Sequence, residues 1–246
     1  MQQGVLFDEA KTEAEGMDFL NQFVGEGTSG ISQAALATSY LAVTQKLTEA
    51  VTQGIVEEGV FYNTGSQKSM GTEVRTIPIA FKEVWDERDE AGLTVNRWEP
   101  YSIDVITVPP PAGKRGFPKL ISPDGNQIIH TFAYAVLLPD DLDAGYVMMT
   151  AGVGSMKAFR RWNTMIKNLR LPNGNKAPIF SKIYRLYASS KISSTTKKPY
   201  YAVSNVVMED WVDNSYEQLL IPALKSAQQF LLTAPTAMTD DQDSEE

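Results

Sequence analysis

Between Ala144 and Met208 the chain carries eleven lysines and arginines and no Asp or Glu. They are Lys157, Arg160, Arg161, Lys167, Arg170, Lys176, Lys182, Arg185, Lys191, Lys197 and Lys198. This 65-residue run holds half of the 22 basic groups, and all 30 acidic groups lie outside it. The net charge of −8 therefore hides a segment of +11 beside a remainder of −19. Such a segment makes a positive field that attracts polyanions, above all nucleic acid. Surface salt bridging normally mixes the two signs, and phosphate binding is the simplest reason for excluding carboxylates. Aromatic residues are interleaved: Phe159, Trp162, Phe180, Tyr184, Tyr187, Tyr200 and Tyr201. Bases stack on such rings, at about 1–3 kcal/mol each. Along the stretch 179–188, a period of two puts Lys182 and Tyr184 on one face and Arg185 and Tyr187 on the other. One of those faces is core, so only some of the rings are free to stack.

The expected phosphate-tracking set is Lys157, Arg160, Arg161, Lys167, Arg170, Lys182, Arg185, Lys191, Lys197 and Lys198. The expected stacking set is Trp162, Tyr184, Tyr187, Tyr200 and Tyr201. A smaller basic group, Lys114 and Arg115 beside Phe117, sits in a Pro-rich stretch. The last seven residues supply five carboxylates: Asp240, Asp241, Asp243, Glu245 and Glu246. Such a tail is expected to compete with phosphates for the basic groove, to leave when a strand binds, and then to recruit partners.

Enzyme chemistry finds little support. There is no cysteine and one histidine, which leaves no Cys/His zinc set and no evident Ser-His-Asp set. His130 lies in the apolar stretch Ile128–Leu138 and is read as a hydrogen-bonded structural residue. Gly25 to Gly30 matches a dinucleotide-binding glycine pattern but follows a polar helical stretch rather than a strand. The carboxylates Asp86, Glu87, Asp89 and Glu90, and Asp140, Asp141 and Asp143, read as charged turns rather than Mg²⁺ sites. The chain is expected to be no enzyme and to need no cofactor or metal.

The elements that would carry these groups follow from periodicity. A short helix around Phe19–Phe23, a GEGTSG loop and a helix from Ser32 make an N-terminal helical segment, residues 1–55. Strands are expected at 60–63, 74–85, 105–108, 128–138 and 146–150. Pro78 requires an edge strand or a bulge, and Asp86–Gly92 reads as a turn. Ser155 starts a helix running to about Leu171, with Met156, Phe159, Met165, Ile166 and Leu169 as its apolar face. Strands 179–189 and 200–208 form a hairpin with a basic tip, closing a core over 56–212. Asn214 and Glu217 sit at capping-box spacing for a last helix, 213–232, interrupted by Pro222. Residues 233–246 are a disordered acidic tail by composition. The fold class is α+β: an OB-like, partly open β-barrel with an embedded helix, N-terminal helices and a C-terminal helix. The alternative is an irregular α+β sandwich. No apolar run is long enough to span a bilayer and no signal peptide is visible, so a cytoplasmic protein is expected.

Several of these positions resemble a group of tailed-phage proteins. They are Leu41, Val43, Gln45, Gly59, Phe61, Asn63, Thr64, Gly71, Val74, Ile77, Pro78 and Trp85, then Arg161-Trp162-Asn163, then the strand Pro178 to Leu186. The resemblance covers about residues 38–208. Many members of that group are regarded as single-stranded DNA-binding proteins, and the plan is similar to phage and bacterial proteins of that kind. It implies sequence-nonspecific coating of single-stranded DNA in phage replication or recombination. It also implies a cooperative array or homo-oligomer on DNA, and replication or recombination proteins as partners of the tail. The tail departs from the bacterial pattern, ending Ser244-Glu245-Glu246 without an apolar tip. Two other readings stay open. One is a phage virion or assembly protein using its charge polarity for subunit contacts. The other is a Mg²⁺-dependent nuclease or recombination accessory.

Overall fold

Two long strands organise the molecule. In a computed structural model that describes residues 39–90, 94–110, 118–193 and 196–233, β4 spans Glu73–Arg88 and β8 spans Gln127–Leu137. They pair antiparallel from Ile77↔Leu137 to Arg88↔Gln127. The register slips between Pro78 and Ala80, so Pro78, which cannot donate to the ladder, sits at a bulge.

Strand β8 is buried on both faces. Phe132, Tyr134 and Val136 enter one core cluster, and Ala133, Ala135 and Leu137 enter the other. Double burial explains why this strand reads as an unbroken apolar run. Helix α2, Met156–Asn168, covers the first face with Ala158, Phe159 and Trp162. Helix α3, Glu217–Thr233, covers the second with Leu220, Ala223 and Ala227.

The other strands attach to the ends of this central pair. Strand β10 (Lys182–Ile192) joins the start of β4 through Tyr184↔Thr76 to Tyr187↔Glu73, and β11 (Pro199–Trp211) lies outside it. Strand β9 (Tyr146–Ala151) pairs with the end of β8. At the far end β5 (Thr94–Trp98) pairs with β4, while β7 (Lys119–Ile121) and β6 (Ile106–Val108) extend from β8. The resulting eight-stranded antiparallel sheet runs β11-β10-β4-β8-β7-β6, with β5 and β9 at its sides. A smaller sheet contains β1 (Leu41–Val43), β2 (Phe61–Asn63) and β3 (Lys68–Gly71). Everything described belongs to one compact unit starting at Thr38.

The fold is thus α+β, built mostly of antiparallel strands with few helices. Both sheets are open among the described residues, and these pairings do not establish the OB-type barrel. The helical segment expected over residues 1–55 is replaced, where it is described, by β1 and a four-residue helix α1, Glu49–Thr52. Thr44 is the reason. Its backbone N–H donates to the Val60 carbonyl (2.9 Å) and its hydroxyl to the Glu57 carbonyl (2.8 Å), bonds that hold the segment extended. The N-terminal helix near Phe19, the GEGTSG loop, residues 111–117 and the acidic tail lie outside the described residues.

The expected turn at Asp86 is also corrected, because β4 continues through Asp86, Glu87 and Arg88, all buried. Asp86 accepts from Arg97 Nε at 2.7 Å. Glu87 is 1 % exposed and accepts four hydrogen bonds. The donors are Ser122 Oγ (2.6 Å), Trp98 Nε1 (2.7 Å), Asn126 Nδ2 (3.0 Å) and Asn96 Nδ2 (3.1 Å). Burial pushes its pKa up, but the four bonds outweigh it and bring the pKa down to about 2. The carboxylate thereby ties β5 and the β7–β8 turn to β4. As pH falls below the usual carboxylate value of 4.5 the unfolded chain takes up a proton and the folded chain does not. The stabilisation is complete above pH 4.5 and is lost as pH falls towards about 2. Glu87→Gln turns one acceptor into a donor facing other donors, and is expected to cost about 2–3 kcal/mol at pH 7. Urea unfolding at pH 7 and pH 3 checks both parts, since the variant should lose less stability than the parent on acidification.

Candidate nucleic-acid interface

Helix α2 is amphipathic. Ala158, Phe159 and Trp162 are buried, and Lys157, Arg160, Arg161 and Lys167 are exposed on its outer side. None of these four cations has an ion pair among the described residues, and Arg161 donates to Asn205 Oδ1 at 3.1 Å. The helix starts without a carboxylate in its first turn. Ser155 does not cap it, because its hydroxyl accepts from the Val203 N–H at 3.0 Å. Positive charge beside the positive end of a helix dipole is mildly unfavourable, and an anion at that end would relieve it.

The β10–β11 hairpin continues this surface. Lys191 Nζ donates to the Gly154 carbonyl at 2.6 Å, next to the start of α2. Burial and the neighbouring Lys157 charge lower its pKa. Lys197 and Lys198 are exposed near the hairpin tip. Beyond the other end of α2, Arg170 and Lys176 are exposed and joined by a backbone bridge. The chain turns between them at Gly174, whose φ is +84°. A basic strip thus runs from the hairpin along α2 to Lys176.

The rest of the expected set lies elsewhere. Trp162 is 0 % exposed, stacked on Tyr134 with ring centroids 4.6 Å apart. Tyr184 is also 0 % exposed, edge-on to Trp162, and burial raises its pKa to about 12. Neither presents a ring face to solvent, so both are core residues rather than stacking surfaces. Lys182 is buried, donates to the Glu209 carbonyl at 3.2 Å and lies 4.1 Å from the Trp211 ring centroid. Arg185 is held between Glu209 and Glu73 at 2.5 Å each, and those bonds raise its pKa. Arg75 shares Glu209 at 3.2 Å and reaches Asp140 at 3.3 Å. Carboxylates from outside the acid-free run therefore neutralise Arg185 of β10.

Tyr187, Tyr200 and Tyr201 are half-buried. Tyr200 lies over Gly154 and Tyr201 over Gly59, where an added Cβ would come within 2.5 Å of each ring. Gln45 fixes the backbone of Tyr201 from both sides, donating to its carbonyl (2.7 Å) and accepting from its N–H (2.9 Å). Tyr101, which the sequence reading passed over, is the most exposed aromatic described, at 87 %, and rests edge-on against Trp85. The tail carboxylates Asp240, Asp241, Asp243, Glu245 and Glu246 lie outside the described residues.

Within the acidic clusters, Asp86 and Glu87 are bonded as described above and Asp140 pairs with Arg75. Asp141 accepts from Ser66 (2.8 Å), Asn63 (3.2 Å) and Lys68 (3.4 Å). No group of three metal-ligating side chains occurs among the described residues. No helix among them is long and apolar enough to cross a membrane.

One feature had no sequence signal. A groove of about 530 Å³ opens beside the end of α2, lined by Phe81 and Glu83 of β4, Asn163, Ile166 and Lys167 of α2, and the stretch 176–179. Its two sides are about eighty positions apart in the chain, and only the packing of α2 on the sheet brings them together.

The Pam3 phage gp34-like protein family matches residues 9–228. No curated protein and no solved structure matches the chain. The chain belongs to this bacteriophage family, the Pam3 phage gp34-like proteins.

Proposed function

We propose that this phage protein binds single-stranded DNA without strong sequence preference, laying the phosphates along α2 and the β10–β11 hairpin. The observation that supports this most is the row Lys157, Arg160, Arg161 and Lys167, exposed and without ion pairs among the described residues. Lys191, Lys197 and Lys198 extend it at one end, and Arg170 and Lys176 at the other. Tyr187, Tyr200 and Tyr201 are the aromatic surfaces left for stacking, through their exposed parts. The reading needs no OB barrel, no cofactor and no chemical step. Coating of DNA during phage replication or recombination in the host cytoplasm fits it. The acidic tail competes with DNA for the strip and, once displaced, is free for partner proteins.

The experiment is fluorescence anisotropy with labelled oligo-dT. Between ~50 and ~200 mM salt, several phosphate contacts cost orders of magnitude in affinity. A chain ending at Ala237 should bind more tightly than the full chain. If neither binds at low salt, the basic strip is a protein-binding surface instead.

One observation favours the alternative, a virion or assembly protein. Strand β11 is the outer strand of the sheet and exposes Val207, Met208 and Trp211. Ordered oligomers in the absence of nucleic acid would support that reading.

A further inference from the structure

The groove beside the end of α2 has a polarity that phosphate binding does not explain. Lys167 and Lys176 stand on it with Glu83, whose side chain is 48 % exposed. A carboxylate within a phosphate-binding surface weakens binding to every strand by repulsion. Glu83 Oε2 lies 3.6 Å from His130 Nε2, and its carboxylate is still open to solvent; a contact that some strands offer and others do not would offset the repulsion.

The orientation of Asn163 is fixed. Tyr134 donates its hydroxyl hydrogen to Asn163 Oδ1. Asn163 therefore offers its Nδ2 hydrogens to whatever enters, and no described residue takes them. Tyr134 pairs with Phe81, and Glu83 is the next residue on the same face of β4. The groove thus carries an amide donor, Asn163, and a two-oxygen acceptor, Glu83, beside the two lysines and the apolar Phe81, Ile166 and Ile179. Its volume falls in the usual range of small-molecule sites, about 300–1,000 Å³.

Among the bases, only guanine has the complementary edge: an acceptor, O6, followed by two adjacent donors, N1–H and N2–H₂. Two parallel donors suit a carboxylate, which accepts them bidentately. Adenine and cytosine each set a ring acceptor beside their amino group, against the second carboxylate oxygen. Thymine flanks its single N–H with two carbonyls. Unpaired bases expose this edge, and single-strand readers recognise it.

We propose that the groove reads one unpaired guanine of a bound strand. Glu83 accepts from N1–H and N2–H₂, Asn163 Nδ2 donates to O6, and Lys167 and Lys176 hold the neighbouring phosphates. This rests on the single-strand reading given above and adds one preferred base at one point of a strip that otherwise holds phosphates whatever the sequence.

The test compares anisotropy of oligo-dT with the same strand carrying one central dG, and with inosine in place of that dG. A bidentate base contact is worth about 1–3 kcal/mol, so the dG strand should bind roughly 5- to 150-fold more tightly. Inosine, which lacks the 2-amino group, should fall between. The readout is the ratio of the two affinities, because Glu83→Gln also removes a repulsion felt by every strand. That ratio should collapse towards one in Glu83→Gln and in Asn163→Asp, which still accepts from Tyr134. Tight binding to oligo-dT with no preference for dG overturns the guanine site and leaves the single-strand reading standing. A preference that survives both substitutions overturns the assignment to this groove. Failure to bind any of the three strands overturns both proposals.

Discussion

Replacing Lys157, Arg160, Arg161 and Lys167 together by glutamine is expected to weaken oligo-dT binding several-hundredfold at ~100 mM salt. For single strands each phosphate contact contributes about 0.7 to the slope of log affinity against log salt, so four contacts contribute roughly 3. Taking ~1 M as the point where counterion release gives nothing, that slope amounts to nearly three decades at ~100 mM. The salt slope itself should fall by the same amount, and it is the sharper readout. A drop in affinity with an unchanged slope would mean that these side chains do not touch phosphates. Folding should be unharmed, since all four are exposed on the outer side of α2 and glutamine is a good helix former. Stability should change little, because Lys157 opposes the helix dipole at one end while Lys167, in the last turn, complements it at the other. Arg185→Gln is the contrasting substitution. Arg185 lies between Glu73 and Glu209, and its loss should change stability while leaving the salt slope where it was.

That contrast marks how far the sequence could be read. The acid-free run is a fact of the linear chain, and charge acts through space. On α2 and the hairpin tip the neighbours in space are also basic, so the linear reading carries over. On β10 the neighbours are the start of β4 and the end of β11, which bring Glu73 and Glu209 to Arg185. The same gap explains the misread turn at Asp86. Asp86 and Glu87 look solvent-seeking until Arg97 arrives to pair with Asp86, and Asn96, Trp98, Ser122 and Asn126 arrive to satisfy Glu87. Periodicity did better. It gave α2, which buries a regular stripe against one neighbour, while β4 and β8, which enter both core clusters, were legible from their length and apolar, β-branched content. It could not say how the strands close or whether they do, since an open sheet and a barrel place the same residues inward. The groove at Glu83 and Asn163 depends wholly on how α2 sits on the sheet.

Trp162→Ala is expected to cost about 3–5 kcal/mol, among the largest single losses available in this fold. Trp162 is the ring at which the first core cluster converges. It stacks on Tyr134 at 4.6 Å, tilts against Phe159 at 5.7 Å and meets Tyr184 edge-on at 5.6 Å. The sequence left it off the apolar stripe because that stripe was drawn through Met156 and Met165. The true stripe runs through Ala158, Phe159, Trp162 and Ile166, at helical spacing, and the small Ala158 disguised its centre. Its indole N–H has no partner among the described residues, so Trp162→Phe removes volume without breaking a hydrogen bond. The phenylalanine variant should therefore be clearly less destabilised than the alanine variant, and urea unfolding at one temperature measures both. The same pair of variants separates core from platform. A stacking ring would take about 1–3 kcal/mol of binding with it when removed. A core ring leaves the affinity of the molecules that remain folded unchanged. Oligo-dT affinity of Trp162→Phe equal to that of the parent, alongside a lowered urea midpoint, is the expected pair of results. A lost affinity with an unchanged midpoint would return Trp162 to the DNA-binding surface.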